Sequence, residues 1–497
     1  MQSLLFCKVF KIYDLIFVKT TSPNKAKKSL YKTLTDYSAV HLSFRRSLVL
    51  CLLFLQRNKM SPNPVQTNGV WNLKMSIYAT DTVNPHRAMA ENSKVLPNSL
   101  KSVITLQMGD PTLFGNFSKP SNVIGALKNA LGKDKFSYYH TTGIKEARQS
   151  VADYVNKTGV NISSDDVILT SGGSSSLEMC FMTLANPGDN ILVPSPCFNY
   201  KTWLSGAKIE PRSYKLNPLK DWEIDLNHME AQINQKTKAI LINNVGNPCG
   251  NVFSREHIID ILKIAERHQL PIISDEIYEF FVFPGVEYFS IAELSKHVPV
   301  LACSGLTKRF IMPGIRCGWI TIHDRYNALK DIKHGLVRIA GRNLGPNSTV
   351  QIALPEILKF TPEAFFIETV SKVHRHALTA YNNLKNVPGL NVIMPKGAFY
   401  MMIGIDLKKF KFETCLDFVE NLTAEQSVLA FPGTCFDFPG YFRFVLTVPE
   451  EIIQEACERI RQFCIEHIVE DYEITEKTSW WKNNCNQILG SVDAREI

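Results

Sequence analysis

"VPVLACSGLTKRFIMPGIRCGW", residues 298 to 319, opens with Val298, Val300 and Leu301, the aliphatic residues that fill a central strand. It thins to Ser304 and Gly305, then delivers Lys308, with Arg316 eight positions later. A lysine after a buried strand is either released to water or aimed into a cleft. The neighbouring strand ends decide which.

Working outward, residues 100 to 340 alternate short β-branched runs with helix-length amphipathic stretches. Strands are expected in "DVILTSG" (166–172), "NILVPSP" (190–196), "KAILINN" (238–244), "PIISDE" (271–276), "VPVLACSG" (298–305) and "IRCGWITIH" (315–323). Between them Ser254 can cap a helix whose Ile258, Ile261, Leu262 and Ala265 fall on one face. Such alternation predicts an α/β fold, a mainly parallel sheet covered by helices on both sides. After about 350 the pattern shifts to longer helices and the strands "GLNVIMPKGAFYMMIGID" and "YFRFVLTV". Pro449 then opens a closing helix with Ile453, Ala456, Cys457, Ile460 and Cys464 on one side. The expected division is a leader at 1–75, a small domain built from 76–117 and 356–468, a large domain at 118–355, and a tail at 469–497.

The chain has 497 residues and a formal charge of +8. That charge sits at the front, where residues 1–60 hold eleven Lys and Arg against Asp14 and Asp36. The rest is close to neutral, so no basic face for nucleic acid is expected. Leu48 to Leu55, the longest clean apolar run, is far below the ~20 residues of a membrane span. The 12 cysteines are scattered, without C-x-x-C pairs, which argues against a zinc ribbon or disulfide framework and for a reducing compartment. Cytoplasm is the expected location; the basic, acid-poor leader offers mitochondria as the alternative.

In an open α/β sheet, ligands gather beyond the carboxyl ends of the strands. After "DVILT" comes "SGGSSS" (171–176), a small-residue turn into a helix whose free amides suit a phosphate. By itself it would be an ordinary turn, and it has neither the G-x-G-x-x-G nor the G-K-[ST] spacing of nucleotide loops. After "KAILINN" comes Asn247, held extended by Pro248. After "PIIS" come Asp275 and, one turn on, Tyr278. Then come Lys308 and Arg316. Pyridoxal 5'-phosphate would use all of these: a lysine for its aldehyde, a carboxylate for its ring nitrogen, donors and a cation for its phosphate, and neutral donors for its ring oxygen.

The set resembles the fold-type I aminotransferases, and the surrounding text is similar to one member family, the tyrosine aminotransferases. The likeness runs from about Trp71 to about 468. It rests on "GDPTLFGN" (109–116), "LANPGDNILVPSPCF" (184–198), "NPCG" (247–250), "SDEIY" (274–278), "SGLTKRFIMPGIRCGW" (304–319), "AEQSV" (424–428) and "TCFDFP" followed by "FRFVLTVPE".

That resemblance implies a large domain with a seven-stranded, mainly parallel sheet and a smaller α+β domain. It implies pyridoxal phosphate bonded to Lys308, faced by Asp275, with Asn247 and Tyr278 at the ring oxygen and Phe198 stacked on the ring. Gly172, Gly173, Ser174, Ser175 and Arg316 match the phosphate site. Gly305 stands where many relatives place a phosphate serine, with Ser304 adjacent as the substitute. Arg443, with Asn247 and Gly109, matches the substrate-carboxylate clamp. Tyr138 matches the residue that reaches the partner subunit's phosphate in a homodimer, Tyr139 beside it being the alternative. The implied reaction joins L-tyrosine and 2-oxoglutarate to give 4-hydroxyphenylpyruvate and glutamate, the first step of tyrosine breakdown. A broad aromatic or kynurenine-type aminotransferase, or a C–S lyase, would use the same lysine.

Overall fold

A computed structural model describes residue 71 and residues 73–469. The basic leader and the tail beyond 469 lie outside the described residues. The strands, in chain order, are β1 (Ile104–Thr105), β2 (Val167–Thr170), β3 (Asn190–Ser195), β4 (Glu210–Asn217), β5 (Glu223–Ile224), β6 (Thr237–Asn243), β7 (Ile272–Asp275), β8 (Val300–Gly305), β9 (Gly318–His323), β10 (Leu390–Val392), β11 (Tyr400–Ile405), β12 (Val428–Leu429), β13 (Phe431–Pro432) and β14 (Tyr441–Val445).

The principal sheet runs β2-β9-β8-β7-β6-β3-β4-β5. Its centre, β8 through β4, is parallel, while β9 runs antiparallel to both neighbours. All six strands expected in this region are present. Two were not expected. β4 carries Glu210, Arg212 and Lys215 and buries only Tyr214 and Leu216, because it lies near the sheet edge and has little apolar content to announce it. β5, two residues long, folds back on β4 as an eighth strand where seven were expected.

Helices cover both faces. Ser254 accepts from the His257 amide and caps the helix Arg255–Arg267, which buries Ile258, Ile261, Leu262 and Ala265. That face packs with Ile240, Ile242, Ile272 and Val300 of the sheet. On the other side Leu177, Cys180 and Phe181, from the helix Gly173–Leu184, pack with Leu241, Ile273, Leu301 and Cys303. Alternate strand residues thus feed two different cores.

A second, four-stranded antiparallel sheet runs β10-β11-β14-β13. The single apolar run read as "GLNVIMPKGAFYMMIGID" is two paired strands, β10 and β11. Pro449 caps the closing helix Glu450–His467, whose expected apolar residues are all buried. Arg443 sits on β14 opposite Met402 on one side and Phe431 on the other, so it is an interior residue of this sheet.

Candidate active site

The parallel strands of the principal sheet end together, and their last residues are tied by short hydrogen bonds. At the end of β6, the Asn243 amide donates to the Asp275 carbonyl at 3.0 Å, while its oxygen accepts from the Asn247 amide at 2.8 Å. One side chain therefore fixes two neighbouring strand ends. Asp275 closes β7, buried, and its carboxylate accepts from the Tyr200 hydroxyl at 2.7 Å and the Ile277 amide at 3.2 Å. The chain then makes a turn rather than the expected helix, with Glu279 bonded back to the Glu276 carbonyl.

Beyond β8, Lys308 extends its ammonium to the Gly109 carbonyl at 3.1 Å, 5.8 Å from the Tyr278 ring centre and 5.7 Å from that of Phe399. Tyr278 donates to the Tyr400 hydroxyl at 2.9 Å. Burial would push the Tyr400 phenol up, but Lys308 and Arg443 beside it, with hydrogen bonds from Tyr278 and Lys308, hold it below the ordinary value. Tyr278 goes the other way, pushed well up by burial, so it remains a neutral donor.

Arg443 lies over the same phenol, its guanidinium 4.3 Å from the Tyr400 ring centre. It donates to the Asn247 side-chain oxygen at 3.1 Å and the Gln107 carbonyl at 2.7 Å, while its buried Nε has no partner among the described residues. Burial lowers its pKa from that of a free guanidinium, without threatening its charge. An amine and a guanidinium therefore meet at one phenol, the pair of groups an α-amino acid would need for its nitrogen and its carboxylate.

At the opposite corner Gly172, at φ 90°, caps the helix Gly173–Leu184, and the first-turn amides of Gly173 and Ser174 are free for an anion. Arg316, itself left-handed at φ 51°, precedes β9 and folds back onto the Ser171 and Pro313 carbonyls. A Cβ on Gly172 would strike that guanidinium, and one on Gly318 would stand 2.6 Å from the Gly172 backbone. The corner is therefore a glycine-lined cradle with a cation at its edge. Asp275's carboxyl is pushed up to about 6, mainly by burial, against hydrogen bonds from Tyr200 and Ile277. A buried carboxylate of this kind suits a cationic ring nitrogen. Lysine, carboxylate, phosphate cradle and neutral phenol together fit pyridoxal phosphate.

One expected phosphate donor is engaged elsewhere. Ser304, read as a phosphate donor, gives its hydroxyl to the Glu279 carboxylate at 2.8 Å and the Glu276 carbonyl at 3.2 Å. Strand alternation sends its side chain to the face opposite Cys303, and a side chain at Gly305 would stand 2.6 Å from the Cys317 carbonyl. Tyr138 is 90% exposed. Phe198 packs with Tyr200 and Trp203 and faces the His86 ring. Tyr200, Tyr400, Asn243, Gln107 and His86 were not foreseen. Tyr200 stands two residues after Phe198, and Tyr400 is the last aromatic of "GAFY", the signals available for them.

This fold, with a lysine, carboxylate and phosphate cradle at its strand ends, defines a pyridoxal-phosphate-type transferase, and a profile described as aminotransferase class I and II matches residues 101–460. The chain belongs to that family and is an aminotransferase. Within the family, it is 45% identical to the tyrosine aminotransferase of Mus musculus over 80% of this chain and 88% of that protein. It is 39% identical to the tyrosine aminotransferase of Caenorhabditis elegans, over 79% of this chain and 85% of that one. The crystal structure of tyrosine aminotransferase from Leishmania infantum superposes with a TM-score of 0.78 at 32% identity, covering 80% of this chain and 100% of that chain. The likeness expected from the motifs is borne out.

Proposed function

We propose that the protein transfers the amino group of L-tyrosine to 2-oxoglutarate, giving 4-hydroxyphenylpyruvate and L-glutamate, with pyridoxal phosphate as cofactor. The observation that carries this reading is the placing of Lys308 and Arg443 against one phenol, Tyr400, beside a buried Asp275. Similarity to proteins named tyrosine aminotransferase supports the choice of substrate.

When bound, the cofactor supplies an electrophilic aldehyde and an electron-withdrawing ring that makes the substrate Cα–H acidic. Lys308 would hold it through Nζ, and Asp275 would keep a proton on its ring nitrogen. Tyr278 and Asn247 would donate to its ring oxygen without neutralising the lysine. The free amides of Gly173 and Ser174, in the turn from Gly172 to Ser175, would hold the phosphate together with Arg316, and Phe198 would cover one ring face. Arg443 takes the substrate carboxylate through two parallel N–H groups, with Asn247 and Gly109 completing the clamp. With substrate in place, Lys308 Nζ would be the amine that carries the proton from Cα. The Gly109 carbonyl and Tyr400 hydroxyl aim that amine. Two half-reactions through one site give ping-pong kinetics.

The reading includes a homodimer in which Tyr138 of each subunit completes its neighbour's phosphate site. Its 90% exposure supports this. It keeps the division into a large domain at 118–355 and a small one from 76–117 and 356–468, and a cytoplasmic location. Sequencing the mature N-terminus tests the location, since loss of the first sixty residues favours mitochondria. Among the described residues no helix is long and apolar enough to cross a membrane.

The test of the reaction is spectral. L-tyrosine should abolish the absorption of the lysine-bound cofactor, and 2-oxoglutarate should restore it with release of glutamate. Cysteine conjugates yielding pyruvate and ammonia faster than that cycle would turn the reading to a lyase.

A further inference from the structure

His86 projects from the helix Pro85–Asn92, whose start is capped by the Asn84 side chain on the Arg87 amide at 3.1 Å. Its ring centre lies 4.5 Å from that of Phe436, 5.0 Å from Phe431 and 6.3 Å from Phe198. Arg443 stacks on the first two of these rings, 4.7 Å and 5.7 Å away. The imidazole thus stands between the aromatic read as the cofactor's cover and the arginine read as the carboxylate clamp. The helix is held there by Met89, packed against Phe431, Cys435 and Phe436.

Both ring nitrogens are shielded from solvent and have no hydrogen-bond partner among the described residues. Asn199 lies alongside without reaching bonding geometry. Buried polar groups are normally paired, and one left open beside a substrate clamp awaits a partner from the ligand. Burial, then the charge on Arg443, hold the ring's pKa down to about 3, so it is neutral at every working pH. A neutral imidazole offers one donor and one acceptor. Carrying no charge, it is compatible with the apolar ring of an aromatic substrate. A charged residue would demand a counter-charge from both substrates, and the three phenylalanines would offer a polar atom nothing.

We propose that His86 is a substrate-positioning residue, whose imidazole makes the polar contact to the far end of the substrate: the phenol hydroxyl of tyrosine in one half-reaction and the second carboxylate of a dicarboxylic 2-oxo acid in the other. The proposal rests on the tyrosine and 2-oxoglutarate reading above. It gives one pocket a means of accepting both an aromatic and an acidic side chain while Arg443 holds the carboxylate common to the two.

The experiment measures dissociation constants of three unreactive carboxylates on the holoenzyme: 3-phenylpropanoate, 3-(4-hydroxyphenyl)propanoate and glutarate. In the wild type the hydroxylated compound should bind about tenfold more tightly than the plain one, the effect of one hydrogen bond. His86→Phe, which keeps the ring and removes both nitrogens, should bring that ratio close to one and weaken glutarate about tenfold. Binding of 3-phenylpropanoate should stay within about twofold. His86→Gln, which restores a donor, should recover part of the glutarate affinity. Ratios taken within one variant do not depend on its folded fraction, and His86→Leu provides a second measure. Equal weakening of all three compounds, or no change in the ratio, overturns the proposal. Turnover is not needed for these constants, so a wild type that binds with the expected ratio yet fails to transaminate tyrosine would refute the reaction and leave the contact standing.

Discussion

The Tyr200 hydroxyl donates to Asp275 Oδ2 at 2.7 Å, joining the segment after β3 to the end of β7. It is one of two donors that keep this buried carboxyl from rising further than about 6. Tyr200→Phe removes it, so Asp275 should titrate higher and hold less negative charge near neutrality. Cofactor affinity should fall about tenfold at pH 6 to 7, the effect of one hydrogen bond to a charged group, and less at pH 8.5. A pH series of pyridoxal phosphate titrations checks this; an affinity loss independent of pH would show that Tyr200 acts otherwise.

The same carboxyl should make the cofactor-free protein less stable as pH rises. The raised pKa means that the native state binds this proton more tightly than the unfolded chain. The stability it contributes is full below the ordinary value of 3.8 and is lost as pH climbs through about 6. Two units correspond to about 3 kcal/mol. Asp275→Asn escapes that loss but gives up one acceptor, about 1 kcal/mol. Cofactor-free Asp275→Asn should therefore be more stable than wild type by about 1–2 kcal/mol at pH 7.5, with no advantage at pH 4. Denaturant titrations at the two pH values decide it. Activity should fall roughly a hundredfold or more, since a fixed charge beside the reacting system is gone.

Gly109 has no space for a side chain. A Cβ there would lie 2.7 Å from the Tyr400 Cζ, inside the phenol that orients Lys308. Tyr400 is buried, so the strain must move either that ring or the carbonyl that Lys308 bonds. Gly109→Ala should lower kcat about 10- to 100-fold, as expected for misplacing a reacting group by about an ångström. The circular dichroism spectrum should be unchanged. A variant with wild-type kcat would remove Gly109 and Tyr400 from the alignment of the lysine.

Arg443→Ala removes the clamp and strands Asn247, whose side-chain oxygen accepts from it at 3.1 Å. A lost buried charge contact of this kind costs about 2–5 kcal/mol. Because both substrates carry the same carboxylate, kcat/KM should fall together for tyrosine and 2-oxoglutarate, by roughly 30-fold or more. Arg443→Lys should recover only part, having lost the planar fork. A defect confined to one substrate would move the clamp elsewhere.

The local text announced the frame well. β-branched runs marked six of the eight strands of the principal sheet, the Ser254 cap and its apolar spacing marked a helix, and small or polar residues after the strands marked the ligand end of the sheet. β4 escaped because a strand next to the sheet edge, paired outwardly only by the two-residue β5, buries little of either face. Arg443, which the strand text alone would leave facing water, is enclosed because β11 and β13 pair on either side of it.

Local patterning was enough to establish an α/β fold with Asp275 closing its strand, Asn247, Tyr278 and Lys308 shortly after theirs and Arg316 just before β9, while the resemblance to aminotransferases gave these residues their roles. Folding in three dimensions decided the rest. It brought Tyr400 to Lys308 from 92 positions away in the chain and His86 to the rings beside Arg443, and it turned Ser304 toward Glu279. The physical reason is that a side chain's direction depends on register and on the partner strand or helix packed against it, neither of which is written in the few residues around it.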